Sequence, residues 1–314
     1  MSTLGLIADF GGTNARFALC DGDGPLTDEV TLSCADYSGP AEAAEAYLTS
    51  LNLKQRPTVG AFCVASPVTG DNVTMTNLDW RFSREVVRQQ LGLERMSLLN
   101  DFAAVALGMR RLGAGDAIKV GGGIPVGNAP MGVIGPGTGL GVALLIPDGR
   151  NGWLPVATEA GHVTMAACDE EEAHILHILR KKFGHVSAER VLSGPGLTNL
   201  HAAITMDHSP PLDPATITHQ ALTGSDPNCE KALDVFFSML GTVAGNLALS
   251  AGALGGVFIA GGILPRMPEA FVASRFRARF ESKGRFSTYN AKIPTYLVTH
   301  PFPAFLGLAG LVSD

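Results

Sequence analysis

Leu4-Gly5-Leu6-Ile7-Ala8-Asp9-Phe10-Gly11-Gly12-Thr13-Asn14-Ala15-Arg16-Phe17-Ala18-Leu19 reads as an apolar strand, a loop from Asp9 to Asn14, and a second strand from Ala15. A comparable pattern returns as strand Met131–Ile134, loop Gly135-Pro136-Gly137-Thr138-Gly139-Leu140-Gly141 and strand Val142–Ile146. Glycines let a hairpin backbone approach a ligand with no Cβ in the way, while threonine and the flanking amides supply donors, so such loops suit phosphate. Two of them on opposite halves of one chain predict a duplicated fold that grips one nucleotide from both sides.

The 314 residues exceed the ~250–300 at which single cores tend to split, so two domains are expected. A composition 46% hydrophobic and 17% charged is that of a globular chain with a large core. A net charge of −6 offers no field for nucleic acid or anionic lipid. The basic runs, Arg180-Lys181-Lys182 and Arg275 to Arg285, read as solvated helix faces. Five scattered cysteines, without a CxxC pair, indicate neither a disulfide framework nor a zinc knuckle and fit a reducing cytoplasm. The apolar N-terminal run is stopped by Asp9, against a signal peptide. Of two uncharged stretches long enough to suggest a membrane span, Val120–Pro147 is broken by glycine and proline. Val235–Pro265 divides into a buried helix up to about Ala251 and a strand Val257–Ala260. No membrane partner is expected.

Along the chain, strands Thr27–Ser33, Thr58–Val64 and Met96–Leu99 alternate with helices Pro40–Leu51, Ser83–Leu91 and Phe102–Leu112, with a short extended piece at Val73–Met75. That order implies a largely parallel sheet with helices on both faces and antiparallel opening hairpins. Gly121–Pro130 is the best boundary candidate. Strand Leu154–Ala157, helices from Asp169 to Ala251 broken at Ser209-Pro210-Pro211, a basic helix Met267–Phe280, strand Thr295–Val298 and helix Pro303–Val312 complete the reading.

No lysine follows a glycine, so the Walker loop is absent, and Gly135–Gly141 does not satisfy G-x-G-x-x-G. Asp9 beside a phosphate loop suits Mg²⁺ held through water, or else caps its own turn. Asn100-Asp101 ends an apolar strand and opens a helix, at the carboxyl edge where ligands of parallel sheets gather, although an N-cap explains the pair equally. Glu159-Ala160-Gly161-His162 follows a strand, and Glu189 falls at the start of a helix opened by Ser187. Glu-x-x-His is a two-ligand metal spacing, but no third ligand accompanies it. His174 and His177 read as one face of an ordinary helix. An Asn, an Asp, two Glu and a His in one cleft would suit a polyhydroxylated substrate.

Asp9-Phe10-Gly11-Gly12-Thr13-Asn14, Leu99-Asn100-Asp101-Phe102, the Gly135–Gly141 loop, Glu159-Ala160-Gly161-His162, the His185–Gly196 string with its Ser-Ala-Glu-Arg-Val-Leu-Ser-Gly-Pro-Gly, and Phe258–Ile263 together resemble the bacterial glucokinase family, in order and over nearly the whole chain. The resemblance implies an α/β fold of two actin-like (ribonuclease H-like) domains with a cleft between them, each a mixed five-stranded sheet flanked by helices. Residues 1–112, joined by a C-terminal helix in 301–314, would form the small domain and 113–300 the large one. It implies transfer of the ATP γ-phosphoryl to the 6-hydroxyl of glucose by a cytoplasmic homodimer, the first step of glycolysis. Asp101 matches the catalytic base; Asn100, Gly139, Glu159, His162 and Glu189 match the sugar-binding residues. Asp9, Gly11, Gly12 and Thr13 match the first phosphate loop, with Asp9 holding Mg²⁺ through water. Gly137 and Thr138 match the second loop, and Gly261-Gly262 the turn near adenosine.

The wider group of sugar kinases and repressors carries a cysteine-rich zinc signature after its Glu-x-Gly-His segment. Here only Cys168 follows, so no zinc is expected. The chain begins at its first strand, which leaves no helix-turn-helix to be expected in front of it. A kinase for another hexose, and a sugar-sensing regulator without turnover, are the rival readings.

Overall fold

The computed structural model describes residues 4–22, 24–206 and 210–313. Ser209 of the predicted helix break, and Asp314 at the end of the predicted terminal segment, lie outside the described residues. In chain order the strands are β1 (Leu4–Phe10), β2 (Asn14–Asp21), β3 (Leu26–Ser33), β4 (Val59–Val64), β5 (Asn72–Thr74), β6 (Arg81–Ser83) and β7 (Arg95–Asn100). They continue as β8 (Ala117–Val120), β9 (Met131–Pro136), β10 (Leu140–Pro147), β11 (Trp153–Thr158), β12 (Gly256–Ile259) and β13 (Thr295–Val298). The chain divides into two compact units: Met1–Gly113 with Trp153–Ala157 and His300–Asp314, and Ala114–Gly152 with Thr158–Thr299.

In the first unit the sheet order is β3-β2-β1-β4-β7. β1 and β2 form the antiparallel hairpin, paired up to Phe10↔Ala15, while β1, β4 and β7 run parallel. The pairing carries Asp9, Phe10 and Asn14 into strands and leaves only residues 11–13 as the turn, a tighter loop than the sequence suggested. Leu6, Ile7, Ala8 and Phe10 have no exposed surface, as a central strand covered on both faces requires. Phe10 meets Phe17, Phe62 and Trp80 edge-on with ring centres 5.6, 5.7 and 5.8 Å away. Side chains alternate along a strand, so this aromatic anchorage turns Asp9 to the other face.

The terminal helix Pro303–Ser313 packs on the helix Asp101–Gly108, and a Cβ on Gly307 would collide with the carbonyl of Ala104. Glycine there is a matter of close backbone approach. The expected helix Phe102–Leu112 is shorter, ending at Gly108, where a Cβ would strike the Pro303 carbonyl.

The second unit holds five strands of a sheet whose full order is β11-β10-β9-β12-β13-β8. This sheet has six strands where five were expected, because Ala117–Val120 pairs antiparallel with β13. Lys119 and Ile118 lie exposed on that edge strand, which is too short for periodicity to reveal. β9 and β10 repeat the hairpin of the first unit, paired up to Pro136↔Leu140, and leave residues 137–139 as another three-residue turn. The 25-residue helix Pro227–Ala251 passes through the core: its most apolar window is long enough to cross a membrane, yet 72% of that window is buried inside the fold.

Two sequence expectations are corrected here. The basic helix Met267–Phe280 is two short helices, Pro268–Ala273 and Phe276–Glu281. The Ser274 hydroxyl donates to the Phe271 carbonyl at 2.7 Å and accepts from the Phe276 amide at 3.2 Å, at the C-cap of one helix and just before the next. Nor is the Arg275–Arg285 run simply a solvated face. The Arg277 guanidinium, 11% exposed, donates to the carbonyls of Ile293 and Ala291 and to Glu281. Arg279, 13% exposed, bridges Glu172 at 2.7 Å and Asp169 at 2.9 Å. These two cations are interior fasteners, since a nearly buried carboxylate such as Glu172 must be paired.

Candidate active site

Two clusters of the sequence-selected residues form, one within each unit. In the first unit the register Asp9↔Cys63↔Leu99, with Phe10↔Val64↔Asn100 one step on, aligns the carboxyl ends of three parallel strands. This is the edge at which α/β sheets bind ligands. Asn100 is the N-cap of the following helix, its side-chain oxygen accepting from the amides of Phe102 and Ala103 at 3.0 and 3.3 Å. Asp101 is the first helical residue, and its Oδ1 accepts from the Phe102 amide at 2.8 Å and from the Asn100 amide nitrogen at 2.9 Å. The capping alternative therefore accounts for Asn100 but not fully for Asp101, whose Oδ2 accepts nothing among the described residues.

Burial raises the Asp101 carboxyl from its ordinary 3.8 to about 6; the Phe102 amide pulls the other way, and the nearby Asp9 charge adds to the rise. Asp9 is raised too, by burial, with Arg16 opposing. Arg16 Nη1 lies 3.2 Å from Asp9 Oδ2, and the Cys63 thiol donates to Asp9 Oδ1 at 3.4 Å. Sequence reasoning missed both partners. Asp9 and Arg16 are seven residues apart and face each other in a hairpin whose last pair, Phe10↔Ala15, encloses four residues, so Arg16 had a usable signal. Cys63 had none, because it arrives on a separate strand. Gly11, Gly12 and Thr13 form the turn itself; the Gly11 amide donates to the Asn14 carbonyl at 2.9 Å, and Thr13 accepts from the Cys34 amide at 2.8 Å.

In the second unit, Glu159, His162 and Glu189 come together. His162 lies with its ring nitrogens 3.7 Å from Glu159 Oε2 and 4.0 Å from Glu189 Oε1. Glu189 sits in a turn and not at a helix start; the helix begins at Gly194, capped by Ser193, because the Ser193 hydroxyl takes the free Gly196 amide. The turn is tied down by the Glu189 amide, which donates to the Gly161 carbonyl at 2.9 Å. Glu189 Oε2 accepts from the Leu140 amide at 3.0 Å, which joins the carboxylate to the Gly137–Gly139 turn. A Cβ on Gly161 would meet the Leu140 carbonyl, so glycine there is imposed by close backbone packing, whereas one on Gly139 would stand 2.5 Å from the Glu189 oxygen and oblige that side chain to shift. Glu159 and His162 remain well exposed, with side chains 64% and 59% accessible, polar groups available to a ligand.

Gly137 is braced by its amide bond to the Gly139 carbonyl, and its own carbonyl accepts from the Gly194 amide, each at 2.8 Å. Thr138 is exposed at the tip of that turn. Gly261 takes φ +86° two residues after the β12 strand, and a Cβ there would strike the Pro136 carbonyl; Gly262 beside it has open space.

These geometries meet a consistent set of relatives. The sequence model of the glucokinase family matches residues 6–314. The chain belongs to the glucokinase family. A glucokinase of Paramagnetospirillum magneticum is 56% identical over 100% of this chain and 99% of its own length. A crystal structure of a glucokinase from an Antarctic psychrotroph, 36% identical, superposes with a TM-score of 0.90 over 99% of both chains. A ROK-family glucokinase from Streptomyces griseus, solved in complex with glucose and AMPPNP, is 20% identical with a TM-score of 0.65 over 99% of both chains, which establishes the shared fold. Membership in the family includes the sugar-kinase fold of two mixed sheets flanked by helices that the repeated hairpins pointed to.

Proposed function

We propose that this chain is a hexose kinase that transfers the γ-phosphoryl of ATP to the 6-hydroxyl of glucose, with Asp101 as general base. The observation that carries the assignment of the base is the carboxyl at the strand edge with its proton affinity raised to about 6. A base works best when its affinity lies near the working pH. Family membership supports the substrate and donor, and the Streptomyces griseus relative was solved with glucose and the ATP analogue AMPPNP.

In the proposed reaction the 6-oxygen forms a bond to the γ-phosphorus as the bond from that phosphorus to the bridging oxygen breaks and ADP leaves. The hydroxyl proton passes to Asp101. Glu159, His162 and Glu189, with Asn100 and the backbone at Gly139, are proposed to pair with the sugar hydroxyls, and Gly11, Gly12, Thr13, Gly137 and Thr138 with phosphate oxygens. Gly261 and Gly262 are proposed to lie along the nucleoside. Asp9 is proposed to hold Mg²⁺ through water: its oxygens are the donor type that ion prefers, and a carboxylate whose burial favours neutralisation gains from an added positive charge. Mg²⁺ would supply charge neutralisation on the transferring phosphoryl group.

Residues 1–112 with 301–314 are proposed as the small functional domain and 113–300 as the large one, in a cytoplasmic homodimer that commits glucose to glycolysis. A coupled ADP-release assay over a panel of hexoses, with a no-sugar control, tests the reading. Glucose should give the highest kcat/KM and the sugar-free reaction almost none. Preference for another hexose would reassign the substrate, and absence of any sugar-dependent turnover would make the protein a sensor.

A further inference from the structure

His201 lies midway along the helix Gly194–Thr205, only 9% exposed, and its Nε2 has no hydrogen-bond partner among the described residues. Leaving a buried nitrogen unpaired is costly, because its hydration is lost with nothing in return, so such an atom calls for an occupant. Beside it the long helix Pro227–Ala251 begins. Asp226 is the N-cap of that helix, and Cys229, with no exposed surface, is in its first turn. A ring nitrogen of His201, the Cys229 sulfur and a carboxylate oxygen of Asp226 all lie within 4.8 Å of one another. Asp226 spends Oδ1 on the Asn228 amide at 2.8 Å, and the Cys229 thiol donates to Gln220 Oε1 at 3.3 Å.

We infer that His201, Asp226 and Cys229 form a binding site for a divalent transition-metal ion of the zinc type. An imidazole, a thiolate and a carboxylate are three of the four ligands that a tetrahedral zinc takes, and the sulfur selects against Mg²⁺, which requires oxygen. Two anionic ligands and one neutral one leave no net charge on a bound divalent ion, which a site this enclosed needs. As the sulfur–metal bond forms, the Cys229 proton leaves to solvent, and the thiol's hydrogen bond to Gln220 is given up; the freed amide oxygen, or a water, supplies the fourth ligand. Asp226 is only half-buried and opens the route of entry.

The ion would clamp the helix carrying His201 to the start of the long core helix. The former is the helix whose first amide supports the Gly137 carbonyl. This place is unrelated to the Glu159-x-x-His162 segment, and it revises the expectation of no zinc, which rested on the missing cysteine cluster after that segment. Residues 201 and 229 are too far apart in sequence for spacing to expose them.

Cobalt reports the site without reference to turnover. The full-length protein, stripped with chelator, should bind one equivalent of Co²⁺ with a thiolate-to-metal charge-transfer band in the near ultraviolet, lost on adding Zn²⁺. Cys229→Ser and His201→Gln should each abolish the band. Asp226→Asn, which can still cap the helix, should weaken Co²⁺ binding, and Cys168→Ser, which alters the exposed thiol, should leave it intact. Zn²⁺ should raise the Tm of the stripped wild type but not of the first two variants. Circular dichroism identifies a variant that fails to fold; if Cys229→Ser does so, His201→Gln decides. No band in the stripped wild type, a band that survives both substitutions, or one lost in Cys168→Ser would overturn the inference.

Discussion

Replacing Asp101 by Asn should make the protein more stable and almost inactive, and the two effects should respond differently to pH. The folded carboxyl holds its proton at about 6 against an ordinary 3.8, a difference of roughly 2 units, or about 3 kcal/mol. The folded state binds that proton more tightly than the unfolded state, so this contribution to stability is complete below pH 3.8 and is lost as the pH rises through 6. Asn is neutral at every pH and can still accept the amide of Phe102 through its oxygen. At pH 8 the variant should therefore exceed the wild type by at most about 3 kcal/mol, a ceiling because Asp101 is half-buried and water screens part of its charge. At pH 5 the gap should fall to roughly half. Urea denaturation of both proteins at the two pH values measures it; titrating groups remote from Asp101 cancel in the difference, whereas Asp9, whose charge acts on Asp101, contributes to it. Turnover in the ADP-release assay should drop by about 10²–10⁴, with KM for glucose little changed. A variant no more stable than wild type at pH 8 would refute the raised affinity, and near-full turnover in a folded variant would refute the general base.

Other consequences concern residues that position the clusters. Gly139→Ala drives a methyl against Glu189 Oε2 and should break its bond to the Leu140 amide; steady-state kinetics should show KM for glucose rising roughly tenfold, the equivalent of about 1.4 kcal/mol, with a smaller change for ATP. Gly307→Ala places a methyl on the Ala104 carbonyl and should cost about 1–3 kcal/mol in urea melts, lowering kcat through displacement of the helix that begins at Asp101. Arg279→Met strands the Glu172 carboxylate, 2% exposed, and should cost about 3–5 kcal/mol, whereas adding Glu172→Met should recover most of the loss. A double mutant as unstable as the single one would show that the pair is not the source of the effect.

Much of the fold is legible because it depends on neighbours in sequence. The two strand–glycine–strand repeats, the β1-to-β7 alternation with helices, and the long helix ending near Ala251 are local patterns, set by side-chain alternation, helical spacing and the backbone freedom of glycine. Asn100-Asp101 was legible as a strand end followed by a helix start, for the same reason. Cap and functional carboxylate were both open readings of the pair; Asn100 takes the cap, and the Asp101 Oδ2 accepts nothing among the described residues. Even the errors at Phe102–Leu112 and Met267–Phe280 are instructive. Propensity favoured longer helices; the first stops at Gly108, and the second is interrupted at Ser274, whose hydroxyl takes the Phe271 carbonyl.

What no local pattern contains is the set of environments made when distant segments meet. Arg279 finds Glu172 from 107 residues away, Cys63 reaches Asp9 from a separate strand, and His201 meets Asp226 and Cys229 across two helices. Composition therefore made Arg279 look like a solubilising surface charge, although it is an interior ion pair. The proton affinity of Asp101 is of the same kind. Its residue type was evident from the sequence, but the rise to about 6 comes from burial and from the charge of Asp9, both properties of the space around the carboxylate. Hydrogen-bond periodicity acts between residues a few positions apart and is written along the chain. Desolvation and pairing of charge act through space, so only the packed structure decides them.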